Sequence, residues 1–433
     1  MQNHSAFPPL RLKKYDALDR TLGVVQERIQ PTQLLIINQF YPPDFAATGQ
    51  LIAELAVQLQ RAGMQVQVFT GQPGYAFQEE SAPQKEVLHG VLVRRTRAAH
   101  LWSNRIRGKA LNGFFFCFRT AIRLLRSVNR TQVLLITTAP PYLPIVGYLA
   151  NLCFGQRYAC LLYDLYPDVA VELEVVSERH PLVKIWDWLN CQVWQRADSI
   201  IVLSSTMKDR ILAKCPTIEG KISVIHNWAD PDLIKPISKK KNWFAKKHGL
   251  VNKFTVLYSG NMGRCHDMDT IMAAAAELRD EPVKFVFIGG GAKREFCVNK
   301  VKELELDNCL FLEYQEKADL PYSLTACDLS LVSVSTGMEG LVAPSKLYGI
   351  LAAGRPVAAI CESHSYLRPL IQDAQCGVTF ENGESSQLAQ FIRAMIADPG
   401  MVKAMGDSGR RYLEARLTPE KIAQQYYAVL DKV

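Results

Sequence analysis

The chain has 433 residues, too many for one hydrophobic core and suited to two domains. Hydrophobic residues make up 48% and charged residues 21%, which argues against a disordered polymer. The formal charge of +8 is concentrated: ten Lys or Arg residues and no Asp or Glu lie between Arg94 and Arg130, leaving the rest slightly acidic. One basic zone points to one anionic partner surface rather than to a protein coated in nucleic acid.

Eleven cysteines, an odd number without a C-x-x-C pair, read as free thiols in a reducing compartment. Cys153, Cys160, Cys327 and Cys361 sit singly in apolar stretches, so burial is expected for them. Residues 1–32 form a polar extension of mixed charge with no secretory signature. The uncharged run Thr131–Gln156 is broken by Pro140, Pro141 and Pro144. It reads as strand, turn and buried helix rather than a membrane span.

In chain order, Leu34–Asn38 is a continuous apolar run, as in a parallel strand covered on both faces. The loop Gln39–Gly49 leads into a helix from about Gln50 to Ala62, stopped by Gly63. Val66–Thr70 completes a β-α-β unit. Val133–Thr137, Ala159–Tyr163 and Ile200–Leu203 are further strands with helices between them, so residues 33–225 form one α/β domain. Residues 226–242, with His226–Pro231 and Lys239–Lys241, are a linker. A second series then begins over residues 243–412. Its strands are Thr255–Ser259, Val283–Ile288, Leu310–Leu312, Leu329–Val332, Pro356–Ile360 and Val378–Phe380. Its helices are Met268–Leu278, Lys293–Leu304, Ser345–Ala353 and Ser385–Ala397. Residues 413–433 hold a last amphipathic helix, Pro419–Leu430, and the sequence leaves open whether it packs back on the first half. The fold class is α/β, two doubly wound Rossmann-like domains facing a central cleft.

Two segments of the second half carry chemistry. In Tyr258-Ser-Gly-Asn-Met-Gly-Arg264, Gly260 and Gly263 permit close backbone approach around Asn261, and Arg264 stands where the next helix begins. Free N–H groups and a guanidinium suit a diphosphate, and a tight β-α turn with a surface Arg is the plain alternative. In Gly340–Val357, Pro344 and Ser345 open a helix, Ser345 as its N-cap, with Lys346 in its first turn. A cation there opposes the helix dipole, so an anionic ligand is expected beside it.

These segments, with Phe287-Ile-Gly-Gly-Gly291, Leu367-Arg-Pro-Leu-Ile371 and Cys376-Gly377, resemble the nucleotide-sugar domain of the family-4 retaining glycosyltransferases, which have the two-domain GT-B architecture. In the first half, Asn38-Gln-Phe-Tyr-Pro-Pro43, Thr138-Ala-Pro-Pro141 and Asp164-Leu-Tyr-Pro-Asp168 fit the same group. The resemblance spans roughly residues 33–430 and is nearest the fucosamine-type and colanic-acid-type transferases of bacterial surface polysaccharides. The family commonly has two Glu residues eight positions apart. Here those positions are Leu341 and Gly349, with Glu339 close enough to replace the first. The family's Lys five residues after the loop Arg is Asp269 here, and Lys346 is placed to supply that charge.

The resemblance implies transfer of a sugar from a nucleotide-sugar donor with retention of configuration, and no metal or other cofactor. Arg264 and Lys346 would stabilise the departing diphosphate. Gly260, Asn261, Gly263, Gly289, Gly290, Glu339, Pro344 and Ser345 would line the donor side. The first half would bring the acceptor, through Thr48 and Gly49, Asp168, and above all Asp164 at the end of a strand, where it could orient or deprotonate a hydroxyl.

Residues 94–130 mix cations with Leu101, Trp102, Phe114, Phe115, Phe116 and Phe118. Arg119, Arg123, Arg126 and Arg130 recur at helical spacing. That reads as a face for an anionic membrane, with a lipid-linked or saccharide acceptor, on the cytoplasmic side and without nucleic acid. An alternative puts the Phe residues in the core and the Arg residues in solvent. Two other functions stay open: a nucleotide-sugar epimerase of the same architecture, and a non-catalytic scaffold subunit, which the absent Glu at Gly349 favours.

Overall fold

The computed structural model describes residues 33–44, 46–73, 82–96, 106–127 and 132–433, without the side chains of residues 106, 107, 109 and 110. The chain folds around two sheets. The first has eight strands: β1 (Gln33–Ile37), β2 (Gln65–Thr70), β3 (Lys85–Leu88), β4 (Val91–Arg95), β5 (Val133–Thr137), β6 (Tyr158–Leu162), β7 (Ser199–Val202) and β8 (Ile222–Val224). Their order is β3-β4-β2-β1-β5-β6-β7-β8, parallel throughout except for β3. The second has β9 (Phe254–Ser259), β10 (Val283–Ile288), β11 (Cys309–Leu312), β12 (Leu329–Ser333), β13 (Val357–Ile360) and β14 (Gly377–Phe380) in the order β11-β10-β9-β12-β13-β14, all parallel.

Each strand order reverses once, between β1 and β5 and between β9 and β12. At such a switch point the loops leaving two neighbouring strands diverge and open a crevice. The central strands are buried on both faces because their sequences are unbroken apolar runs, such as Leu34–Ile37 and Leu134–Ile136. Helix Ala47–Arg61 buries Ile52, Leu55, Ala56 and Leu59, one stripe at helical spacing.

The stretch 131–156 supplies β5 and the helix Pro144–Phe154. Among the described residues no helix is long and apolar enough to cross a membrane. All eleven cysteines are free, and Cys160, Cys327 and Cys361 are buried as expected. Cys153 is exposed, because it falls on the outer side of that helix beside the exposed Leu149 and Leu152. The hairpin β3–β4 was not read from the sequence: its residues alternate with charges, and its turn is His89-Gly90, both at positive φ.

The segment 226–238 has no regular structure, and helix Pro399–Arg416 continues through residue 412, so the chain turns at Leu417 instead. Helix Pro419–Leu430 lies against helix Ala47–Arg61, with Gln58 donating to Glu420 at 3.2 Å. Trp228 donates its indole N–H to Glu54 at 3.0 Å.

Candidate active site

The wall contributed by the second sheet is built on the loop leaving β9. Gly260 has φ +127°, and a Cβ there would meet Cε of Lys346 at 2.8 Å, so only glycine lets the lysine stem cross this point. The next loop supports the first: Met262 N–H donates to the Gly290 carbonyl at 2.7 Å. A Cβ on Gly289 would lie 2.4 Å from the Gly260 carbonyl oxygen. Gly289 and Gly290 therefore brace the 260–262 backbone.

Lys346 opens the helix Lys346–Ala352. Its Nζ lies 3.2 Å from Nε2 of His266 and 5.1 Å from the centroid of the Tyr258 ring. Burial pulls its ammonium down to about 8. The stress on this cation comes from lost water, not from the dipole invoked from sequence, since a seven-residue helix supplies little. Ser345 departs from its expected role as well: its backbone is already helical and its hydroxyl makes no cap hydrogen bond. Pro344 is buried ahead of it.

His266 donates from Nδ1 to the Ser333 carbonyl at 2.8 Å, and its own carbonyl accepts from Lys293 Nζ at 2.8 Å. Burial, reinforced by Lys346, lowers its pKa to about 3, so the ring is neutral. Arg264, two residues back, is exposed and makes no hydrogen bond or ion pair among the described residues. The following helix begins only at Asp269, so Arg264 belongs to the loop and not to a helix start. Asn261 is likewise exposed, and Gly263 packs beside its amide.

Three loops converge here. Ser335 N–H donates to the Cys265 carbonyl at 2.9 Å, joining the β12 loop to the β9 loop. Leu165 N–H donates to the Leu341 carbonyl at 3.1 Å, joining the β6 loop of the first sheet to the segment before Lys346. Asp164, the neighbour of Leu165, is thereby fixed on the cleft. Burial pushes its carboxyl up to about 6, and its charge reaches the Cys265 thiol of the opposite loop. Asp164, Cys265, His266 and Lys346 form one cluster drawn from both sheets.

Glu339 is fully buried near Tyr366. Its Oε1 accepts from Thr206 Oγ1 of the first half at 2.7 Å, while Oε2 has no hydrogen-bond partner. Arg210, also of the first half, donates to the Glu339 and Gly337 carbonyls at 3.0 Å each. A lone buried carboxylate oxygen is costly and invites a donor such as a hydroxyl. At Gly349 an added Cβ would meet only Leu324 Cδ1 at 3.4 Å, so nothing in the backbone there forbids a longer side chain.

Other expectations resolve differently. Asp168 is ion-paired to Lys214 at 2.7 Å, which also holds Asp187 at 2.6 Å, so its carboxylate ties the start of helix Asp168–Glu172 to the helices Ser205–Lys214 and Pro181–Arg196. Thr48 and Gly49 stand in the first turn of a helix that starts at Ala47, not in a loop. Gly49 allows that turn to approach the Phe40–Tyr41 backbone, at 3.1 Å from a Cβ. Two Asp-x-Asp triplets occur. In one, Asp267 binds Thr270 and Asn382 while Asp269 pairs with Lys293; in the other, Asp230 closes a turn and Asp232 pairs with Lys235. Neither gathers a third ligand among the described residues.

Two family models match the chain and together span most of it: Glycosyltransferase Family 4 over residues 48–233 and Glycosyl transferases group 1 over residues 239–412. The chain is 29% identical over 418 residues to WcaI of Escherichia coli K12, a glycosyl transferase named for colanic acid biosynthesis, covering 91% of this chain and 98% of that one. The chain belongs to the family-4 glycosyltransferases. A second relative of this glycosyltransferase, WbjE of Pseudomonas aeruginosa, is 27% identical over 293 residues, 67% of this chain and 72% of its own. Among solved structures, Anabaena HepE in complex with UDP and glucose superposes with a TM-score of 0.70 at 16% identity, covering 93% of this chain and 100% of that one. The fold is thus GT-B, and the resemblance to colanic-acid-type transferases drawn from the motifs is met by WcaI.

The sequence reading missed His266, Lys293 and Thr206. His266 stands two residues after Arg264, and its importance depends on a carbonyl on β12, which no local pattern reveals.

Proposed function

We propose that this glycosyltransferase moves a sugar from a nucleoside-diphosphate sugar to a lipid-linked or saccharide acceptor, with retention of configuration and without a metal ion. The observation that carries the reading is the half-buried Lys346 ammonium, laid across Gly260 at the switch point of the second sheet, with Asp164 of the first half reaching the neighbouring Cys265. A partly dehydrated cation is stabilised by an anion, and charge develops on a diphosphate as its bond to the anomeric carbon breaks. Arg264, unengaged on the same loop, adds a second cation, and Glu339 Oε2 accepts a sugar hydroxyl in place of the glutamate missing at position 341. Asp164 orients the acceptor hydroxyl and draws off its proton as the bond forms. HepE, of the same fold, was solved with UDP and with UDP-glucose, which supports a nucleotide-sugar donor here. Names of the relatives support a surface polysaccharide as the product's destination.

The membrane reading is supported by helix Ile106–Leu125 and its neighbours. Phe116 enters the core against Phe69, whereas Leu111, Phe114 and Phe118 are exposed along one face. The adjoining helices Pro144–Phe154 and Pro181–Arg196 expose Leu149, Leu152, Leu182, Ile185 and Trp188. The cations are arranged differently from the sequence expectation. Arg95 is buried with Glu86, and Arg123 lies over the Phe69 ring at 4.7 Å. Arg126 follows the helix end, while Arg130, Leu101 and Trp102 lie outside the described residues. Among the described residues, the face this zone would offer to the cytoplasmic side of a membrane is chiefly apolar.

Incubating the purified protein with a panel of UDP-, GDP- and ADP-sugars tests the donor reading. Thermal stabilisation by one nucleotide class and slow hydrolysis of its sugar are expected. No response to any member would remove the enzymatic reading and leave a scaffold role.

A further inference from the structure

We infer that His266 is the positioning residue of this active site: as a neutral imidazole it fixes the Lys346 ammonium in its donor-facing position. The inference rests on the diphosphate reading above and adds a residue to it.

The tautomer follows from geometry. The Ser333 carbonyl, 2.8 Å from Nδ1, can only accept, so Nδ1 carries the hydrogen. Nε2 then presents a lone pair, and Lys346 Nζ at 3.2 Å donates to it. The ring cannot swing away. Ser333 is the last residue of β12 and is paired in register with Ile360. The Tyr258 ring packs edge-on with its centroid 6.2 Å away, and Lys293 holds the His266 carbonyl.

The ring also remains neutral. The groups facing it and Lys346 are Lys293, itself paired with Asp269, the Cys265 thiol and the Tyr258 ring; Asp164, across the cleft, acts on Cys265. A proton on Nε2 would point at an ammonium, so the imidazole stays an acceptor throughout the working pH range. One of the three N–H bonds of Lys346 is consumed by the ring, which leaves the other two aimed by it.

The test is a double-mutant cycle of His266→Phe and Lys346→Met, read by binding of UDP, GDP and ADP to the full-length protein. His266→Phe should weaken the preferred diphosphate about tenfold or more, the scale of a lost hydrogen bond to a charged group. On the Lys346→Met background the same change should cost nothing further. His266→Gln, whose amide oxygen can accept from Lys346, should recover part of the loss and serves if the Phe variant folds poorly. The alkaline limb of kcat/KM, near pH 8 in the wild type, should move to lower pH in His266→Phe, because the ammonium loses its acceptor. A merely structural histidine would not move that limb. Wild-type affinity in His266→Phe, or losses that add fully in the double variant, would overturn the assignment while leaving the donor reading intact. Absence of diphosphate binding in the wild type would overturn both.

Discussion

The two crevices share one topology and differ in how their polar groups are held. On the second sheet the buried groups at the switch point hold one another: Gly260 makes room for Lys346, Lys346 is held by His266, and His266 by Ser333 and Lys293, while Arg264 on the same loop stays exposed. On the first sheet Asp164 stands at the end of β6 with its backbone N–H reaching Thr138 Oγ1 at only 3.4 Å, and its carboxyl is shifted by burial alone. The difference teaches that a rigid cationic wall suits a ligand whose charge is always the same. A single carboxyl poised near neutrality suits a proton in transit.

The largest effect expected from breaking this contrast is at Lys346. Lys346→Ala should lower kcat/KM by roughly 100- to 1000-fold, the scale of removing one preorganised charge-stabilising donor. Steady-state transfer or donor hydrolysis reads it, and a loss under fivefold would place the diphosphate elsewhere.

Asp164→Asn sharpens the other side. It should reduce kcat by about 100-fold with donor binding unchanged, as expected for a proton-transfer group. Equal losses in donor affinity and kcat would put Asp164 in the donor site instead.

The pH profile joins the two walls. Asp164 has its pKa raised to about 6, so its carboxylate is present above that pH and lost below it. Lys346 has its pKa lowered to about 8, so its charge is present below that pH and lost above it. A bell-shaped kcat/KM with limbs near these values is expected. Lys346→Arg should push the alkaline limb upward, since a guanidinium stays charged. An unmoved limb would assign it to another group.

The smallest effect is expected at Asp168, four residues after Asp164 at the start of the short helix Asp168–Glu172. Asp168→Asn loosens a partly exposed ion pair, worth less than about 1 kcal/mol, and should leave kcat near the wild-type value. A hundredfold drop in kcat would restore Asp168 to the acceptor side.

The fold was legible because buried parallel strands are written as unbroken apolar runs. Val133–Thr137 and Val283–Ile288 were read to the residue. The hairpin Lys85–Arg95 escaped because it is short and half-charged. Of the site, the residues with strong local chemistry were legible: Lys346 through its place beside Pro344 and Ser345, Asp164 through its strand end. His266 was not, because its partners Ser333 and Lys346 lie 67 and 80 residues away. The surroundings of Asp168 and Gly49 were illegible for the same reason: Lys214 pairs with the one and the Phe40–Tyr41 backbone packs on the other, and neither contact is written locally.

The central claim is that Lys346 grips the diphosphate. Titration calorimetry of a nucleoside diphosphate against its parent nucleoside, on wild type and Lys346→Met, tests it most directly. The wild type should prefer the diphosphate by at least about tenfold, one hydrogen-bonded charge's worth, and the variant should lose most of that preference. Equal preference in the two proteins would contradict the account.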